Sequence, residues 1–576
     1  MPRSVLATKR WWGMPALLAG VVVGLFCPDA GSAELADILI INARSFSADR
    51  PGQFAEALAI RGNRILAVGT AEEIAPLRGQ GTQVIDAHGA TVMPGFNDAH
   101  VHFLSGSLGL GWVQLLDAET QQQVQDKIRN FAAAHPEQPW VLGRGWLYGA
   151  FPGGLPTRQQ LDALIPDRPA VMECYDGHTK WLNTRALAAA GITAATPDPV
   201  GGQIVRDPAT GEPTGVLKES AQSLIDRVVP QPSREEKLAA LRLGVALAHR
   251  LGVTAVQEAG ADAEELELFD VLRRAGELQI RLYLALSAGP GFSEADEQGL
   301  EALRRQYPDS DTLRLGAVKM YADGVVESHT AALLAPYANR ETRGNPEFTA
   351  VEMNRIVTLL DARGWQVWIH AIGDGAIRMA LDAFEAAQKT NPPPSRGRRH
   401  RIEHIEVISA EDIPRFARLG VIASMQPFHA SPNQNILEVW AVNLGPERAA
   451  RAWSWKNIRD AGGRLAFGTD WPVVELDPRP GIHTALTRKT AAGLPEGGFV
   501  PSQRLLLNEV LEAFTSGAAY AAFDEGRMGT LGKGQLADIV IWSADLFALP
   551  MDQVKDARVR MTLFDGRVVY SREVVR

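Results

Sequence analysis

The feature that most restricts the fold is an alternation. Between residues 94 and 473, short apolar runs recur between stretches of helical periodicity. The first run is "PGFNDAHVHF" (94–103). Seven more follow: "GVTAVQEA" (252–259), "IRLYLAL" (280–286), "LRLGAVKMYADG" (313–324), "WQVWIHAIGD" (365–374), "RIEHIEVI" (401–408), "GVIASMQPFH" (420–429) and "RLAFGTDWPV" (464–473). Segments such as "REEKLAALRLGVALAHRL" (234–251) and "GAIRMALDAFEAAQ" (375–388) place apolar residues at helical spacing between them. Eight strand–helix units predict an α/β chain built on a (β/α)8 TIM barrel. The gap after the first run is too long for one helix, so residues of about 105–235 read as a large insertion roofing the site.

Both chain ends read differently. "ADILIINARSF" (36–46), "ALAIRGNRILAVG" (57–69) and "TQVIDAHGATVMPG" (82–95) alternate apolar and polar residues around turn residues. "GTLGKGQLADIVIWSADL" (529–546) and "VRMTLFDGRVVYS" (559–571) do the same. The expected division is a small β-sandwich domain made of 34–92 and 525–576, with the barrel at 93–524. A chain of 576 residues is long enough for both.

Residues 1–33 stand apart. Arg3, Lys9 and Arg10 precede the apolar "WWGMPALLAGVVVGLF" (11–26), and "GSA" (31–33) offers small residues for cleavage. This pattern reads as a secretory signal peptide and implies export, to a bacterial periplasm or outside the cell. It leaves open which export route is used. Beyond this segment nothing suggests a membrane. Of two cysteines only Cys174 would remain in the mature chain, which leaves no disulfide. A net charge of −9 with one dense basic run, "NPPPSRGRRHR" (391–401), excludes a nucleic-acid partner. A small-molecule substrate is the expected partner. The oligomeric state stays open, a homo-oligomer included.

The chemistry lies at the late ends of the runs. His100 and His102 stand at i and i+2, so in a strand they share a face. His370, His404 and Asp470 close three other runs, and Lys319 sits inside a fourth. Barrel enzymes build their sites at this end of the strands. One buried histidine is usually structural; polar ends on several apolar strands, together with a His-x-His pair, fit a divalent metal site better.

Those residues stand in motifs. "VMPGFNDAHVHF" and "FGTDWPV" resemble the first-strand and last-strand motifs of the amidohydrolase superfamily. "RPAVMECYDGHTKWLNTRAL" (168–187), "GEPTGVLKES" (211–220) and "VKMYADGVVESHTAALLAPY" (318–337) resemble segments of its YtcJ-like branch, typified by N-substituted formamide deformylase. The resemblance covers about 35–573. It implies that His100, His102 and Asp470 bind one metal, that His370 and His404 bind a second, and that Lys319 is carboxylated and bridges both. Two zinc ions are implied, with one ion, or Mn, Fe or Ni, left open. Asp470 would take the proton from the metal-activated hydroxide's parent water and pass it to the leaving nitrogen.

The implied activity is hydrolysis of a carbon–nitrogen bond other than a peptide bond, such as an N-acyl or N-formyl amide. Esters, lactones and carbamates are alternatives, as is a non-catalytic exported ligand-binding or regulatory protein on the same barrel. His178 and His429 are candidates for substrate contact. Trp146, Trp181 and Trp471 either line the pocket or pack. Lys319 could instead pair with Asp323 or Glu327, and Glu327 could itself reach a metal. Asp374 is expected to cap the helix that follows it.

Overall fold

The structure, a computed structural model, describes residues 34–47, 52–175, 177–199 and 201–572. The expected signal peptide and Cys27 lie outside them. Among the described residues no helix is long and apolar enough to cross a membrane.

Eight parallel strands form one sheet in sequential order. They are β1 (Phe96–Val101), β2 (Val253–Ala261), β3 (Arg281–Ser287), β4 (Leu313–Tyr321), β5 (Gln366–Ala371), β6 (Arg401–His404), β7 (Ile422–Met425) and β8 (Arg464–Phe467). The sheet closes just past β8. Asp470 donates its N–H to His100 at 2.7 Å, and His102 donates to Trp471 at 2.7 Å. The barrel seam therefore lies at the rim, beside the paired histidines. One extensive apolar core fills the space between the strands and the outer helices.

Local rules explain the crossovers. In Arg234–Leu251 a capping box of Ser233 and Glu236 satisfies the first free N–H groups. Gly252, in the left-handed region at φ 79°, ends that helix and starts the turn into β2. Asp374 departs from expectation. It is the first residue of helix Asp374–Thr390, and its Oδ1 accepts the N–H of Leu334 at 2.9 Å rather than one of the helix's own.

Several strands stop earlier than their apolar runs. β6 ends at His404 because His404 and Ile405 take left-handed backbone, at φ 72° and 53°. β7 ends at Met425, so His429 lies on the following 3₁₀ turn, Pro427–Ala430, and not on the strand.

The chain ends build two more sheets. One joins Arg64–Gly69, Ala57–Arg61, Ala36–Ile41 and Arg78–Asp86 in that order. The other places Ile539–Trp542 beside Thr91–Pro94, so the two ends of the chain pair directly. Ile38, Ile40, Ile60, Val92, Ile539 and Leu563 meet in one shared core between the sheets. The segment after β1 forms a six-stranded sheet with Val141–Trp146, Ala170–Cys174 and Thr179–Leu182 at its centre. Trp146 and Trp181 are fully buried in its core, so they pack and do not line a pocket. Cys174 is buried there too, its Sγ donating to the Trp146 carbonyl at 3.3 Å.

One buried ion pair ties the terminal β unit to the barrel. Arg281 of β3 grips Asp538 with Nε and Nη2, the latter at 3.0 Å, and also reaches Asp565 at 3.0 Å. Both Arg281 and Asp538 are buried. Removing one member strands a charge out of water. Arg281→Met is expected to lower stability by about 3–5 kcal/mol, measured as a drop in thermal and denaturant midpoints.

Candidate metal centre

The predicted strand ends do converge. His100, His404 and Asp470 offer ligand atoms that all lie within 4.8 Å of one another, and all three are buried. His102 Nε2 lies 3.4 Å from Asp470 Oδ1. Lys319 Nζ donates toward His100 Nε2 at 3.2 Å. The His370 ring stands 4.5 Å from that of His404. The ends of four strands, β1, β4, β5 and β6, and the seam after β8 supply these side chains.

Two of them occupy costly backbone. His404 (φ 72°) and Asp470 (φ 64°) are non-glycine residues in the left-handed region. At each, the reversal breaks strand alternation just as the side chain is delivered. Strain of this kind concentrates at functional sites.

A buried network aims the imidazoles. Glu403 accepts from His100 Nδ1–H at 2.6 Å, which leaves the Nε2 lone pair facing the site. Arg401 holds Glu403 with Nε at 2.7 Å and Nη2 at 3.0 Å, and lies over the Trp368 ring at 3.7 Å. Gln426 Oε1 accepts from His404 Nδ1–H at 2.8 Å. Asp98 accepts from Thr469 N–H (2.8 Å) and Oγ1–H (2.6 Å), which fixes the loop before Asp470. None of these partners was singled out from the sequence. Arg401 and Glu403 carried a signal: they alternate at i and i+2 in an apolar strand, like His100 and His102.

Burial sets the charges. It pushes His100 down to about 4 and His370 down to about 3, with the Lys319 charge acting in the same direction. These rings are neutral at pH 7. Burial alone would raise Asp470, but the neighbouring histidines hold it well below the usual carboxylate range. Neutral imidazoles around an ionised carboxylate are the donor state a divalent cation requires. Asp470 Oδ1 and His429 Nε2 are also buried with no hydrogen-bond partner. The residues present therefore fit a divalent metal.

Lys319 is drawn down to about 8 by burial, against the opposing pull of Glu403 and Asp470. Neither carboxylate of the alternative reading is its partner. Asp323 accepts backbone N–H groups from Ala332, Ile372 and Gly373. Glu327 accepts from Tyr175 Oη–H at 2.8 Å and Asn435 at 3.1 Å. Those bonds join the insertion to the loop after β7.

Beside the cluster lies a cleft of about 230 Å³. His102, Gly260, Pro472 and Val473 from the barrel line it, with Arg144, Glu173, Tyr175 and Gly177 from the insertion. The insertion thus walls the mouth, as its length suggested. His429 stacks parallel to His404 at 6.1 Å and stands 3.7 Å from Asp470, at the cluster. His178 follows the cleft residue Gly177, and its Nδ1 pairs with Glu219 at 2.8 Å. Trp471 packs on Phe103 at 5.4 Å.

Barrel and site together define a metal-dependent hydrolase. The chain belongs to the amidohydrolase family, whose model matches residues 83–570. It is 30% identical to YtcJ of Bacillus subtilis over 90% of this chain and 97% of that one. It is 27% identical to the N-substituted formamide deformylase of Arthrobacter pascens, over 94% of this chain and 99% of the other. An uncharacterized metal-dependent hydrolase from Pyrococcus furiosus superposes with a TM-score of 0.66 at 25% identity, over 87% of this chain and 98% of its own. The chain is a member of the YtcJ-like branch.

Glu403→Gln removes the anion that holds His100 in its tautomer. The substitution is expected to lower metal affinity about 10–100-fold, read by competition with a chelator and by metal content after dialysis.

Proposed function

We propose that this protein hydrolyses a non-peptide carbon–nitrogen bond, an N-acyl or N-formyl amide, using two zinc ions held by His100, His102, Lys319, His370, His404 and Asp470. The observation that carries the reading is Asp470: an ionised, buried carboxylate with one oxygen unpartnered, among neutral imidazoles. The full-length relation to a formamide deformylase supports the bond class.

The bound metal supplies Lewis acidity and makes water a nucleophile near neutral pH. Asp470 Oδ1 accepts the proton of the attacking water. The same oxygen returns it to the departing nitrogen, which would otherwise leave as an amide anion. His429, with Nε2 buried and free of hydrogen bonds, contacts the substrate beside Asp470, and His178, steadied by Glu219, contacts it from the insertion. Tyr175 and the barrel loop at Pro472 and Val473 narrow the opening and limit access of bulk water.

Lys319 acts as its carbamate. A pKa drawn down to about 8 leaves a useful fraction of neutral amine, which can add to carbon dioxide and lose a proton. The product is an anion with two donor oxygens between the two halves of the cluster. The signal-like N-terminus supports action outside the cytoplasm.

Asp470→Asn is expected to reduce kcat by about 10²–10⁴-fold on a panel of N-formyl and N-acyl amides, assayed with zinc-loaded protein. Turnover of lactones or esters with none of the amides would reassign the bond. A second prediction concerns Lys319. Adding ¹³C-bicarbonate should produce a carbamate carbon resonance in the wild type that is absent from Lys319→Met; its absence from both would remove the bridge.

A further inference from the structure

Arg144 stands out among the buried cations. It is 8% exposed and lines the cleft with His102. Of the arginines that are equally buried, Arg281 and Arg401 grip carboxylates, Arg415 pairs with Asp412 and Asp382, and Arg488 donates to the carbonyls of Phe499 and Ala452. The Arg144 guanidinium makes no hydrogen bond and no ion pair among the described residues. Asp470 and Glu173 act on it only through space.

The local backbone is arranged to aim this side chain. The pairing of Val141–Trp146 with Ala170–Cys174 slips between Arg144 and Trp146. Gly145 occupies the slip at φ 92°, and a Cβ there would lie 2.9 Å from the backbone N of Leu116. Through this bulge Val141 and Trp146, five residues apart, pack into the same core. Arg144 is left on the opposite face, toward the barrel mouth. A bulge beside a site commonly re-aims a side chain.

A guanidinium held in a cleft, largely shielded from water and without a counter-ion, is unfavourable, and a ligand anion relieves that cost. We propose that Arg144 binds a carboxylate of the substrate, so that the amide hydrolysed here is an N-acyl or N-formyl amino acid or a similar acylated amine bearing one carboxylate. The proposal rests on the amidase reading for the bond and on Arg144 for the anion. The planar fork matches a carboxylate with two parallel hydrogen bonds. Glu173, Glu258 and Glu265 also line the cleft. They add no positive charge, so the one guanidinium balances a single carboxylate and not a dianion such as phosphate.

The test uses zinc-loaded full chain, wild type and the variants Arg144→Met and Arg144→Lys, each checked for folding by circular dichroism and melting. Calorimetry compares phenylpropanoate with the uncharged phenylpropanol and with phenylethylphosphonate; none of these can be hydrolysed. In parallel, kcat/KM is compared for N-formylphenylalanine and its neutral carboxamide. The wild type should bind phenylpropanoate at least about tenfold more tightly than phenylpropanol. That ratio should fall toward unity in Arg144→Met, lie between in Arg144→Lys, and be mirrored in kcat/KM. A wild type with no preference for carboxylate, or a preference that survives in Arg144→Met, overturns the proposal. Tighter binding of the phosphonate overturns the monoanion assignment. If no amide is turned over while the binding ratio still depends on Arg144, the amidase reading fails and the anion site stands.

Discussion

The rim depends on a carboxylate held entirely out of water. Glu403 is fully buried, and an isolated carboxylate there would be strongly unfavourable. Arg401 makes it tolerable with a two-nitrogen grip, and Arg401 is in turn held by Ala99 O at 2.6 Å, by Ser424 at 3.2 Å, by Gln257 and by the face of Trp368. The outcome of this chain of bonds is a single fact at the site: His100 carries its proton on Nδ1 and presents a lone pair on Nε2. An imidazole free to change tautomer would make a weaker and less directed ligand.

The second constraint is the seam. The first and last motifs of the barrel, "PGFNDAHVHF" and "FGTDWPV", are two edges of one junction. Main-chain bonds between His100 and Asp470 and between His102 and Trp471 set the ligands side by side. Gly468 permits this closeness. A Cβ at that position would lie 2.5 Å from the His100 N and 2.7 Å from Asp98 Oδ1. Metal-ligand geometry and barrel closure are therefore one structural feature.

Much of this was legible in the sequence because strands have period two and barrels use one end. The eight strands, their order in the sheet and the convergence of His100, His102, Lys319, His370, His404 and Asp470 follow from those rules. What was missed has physical reasons. Apolar runs do not reveal where the backbone turns left-handed, so the ends of β6 and β7 came out too long and His429 was placed on a strand. The alternative pairing of Lys319 with Asp323 or Glu327 does not form, because those carboxylates, nearby in sequence, are engaged by backbone amides and by Tyr175 and Asn435. For Trp146 and Trp181 the sequence leaves pocket lining and packing both open, and they fill the insertion's own core. Arg401 and Glu403 obey the alternation used for the histidine pair, yet charged residues inside an apolar strand read as solvent-facing without a partner to reveal them.

The most direct measurement is anomalous diffraction at the zinc edge from crystals of metal-loaded protein. Two peaks are expected: one about 2.0–2.2 Å from His100 Nε2, a His102 nitrogen and an Asp470 oxygen, and one at similar distance from nitrogens of His370 and His404. Zinc bound elsewhere, with these side chains uncoordinated, would contradict the metal centre and the hydrolysis built on it.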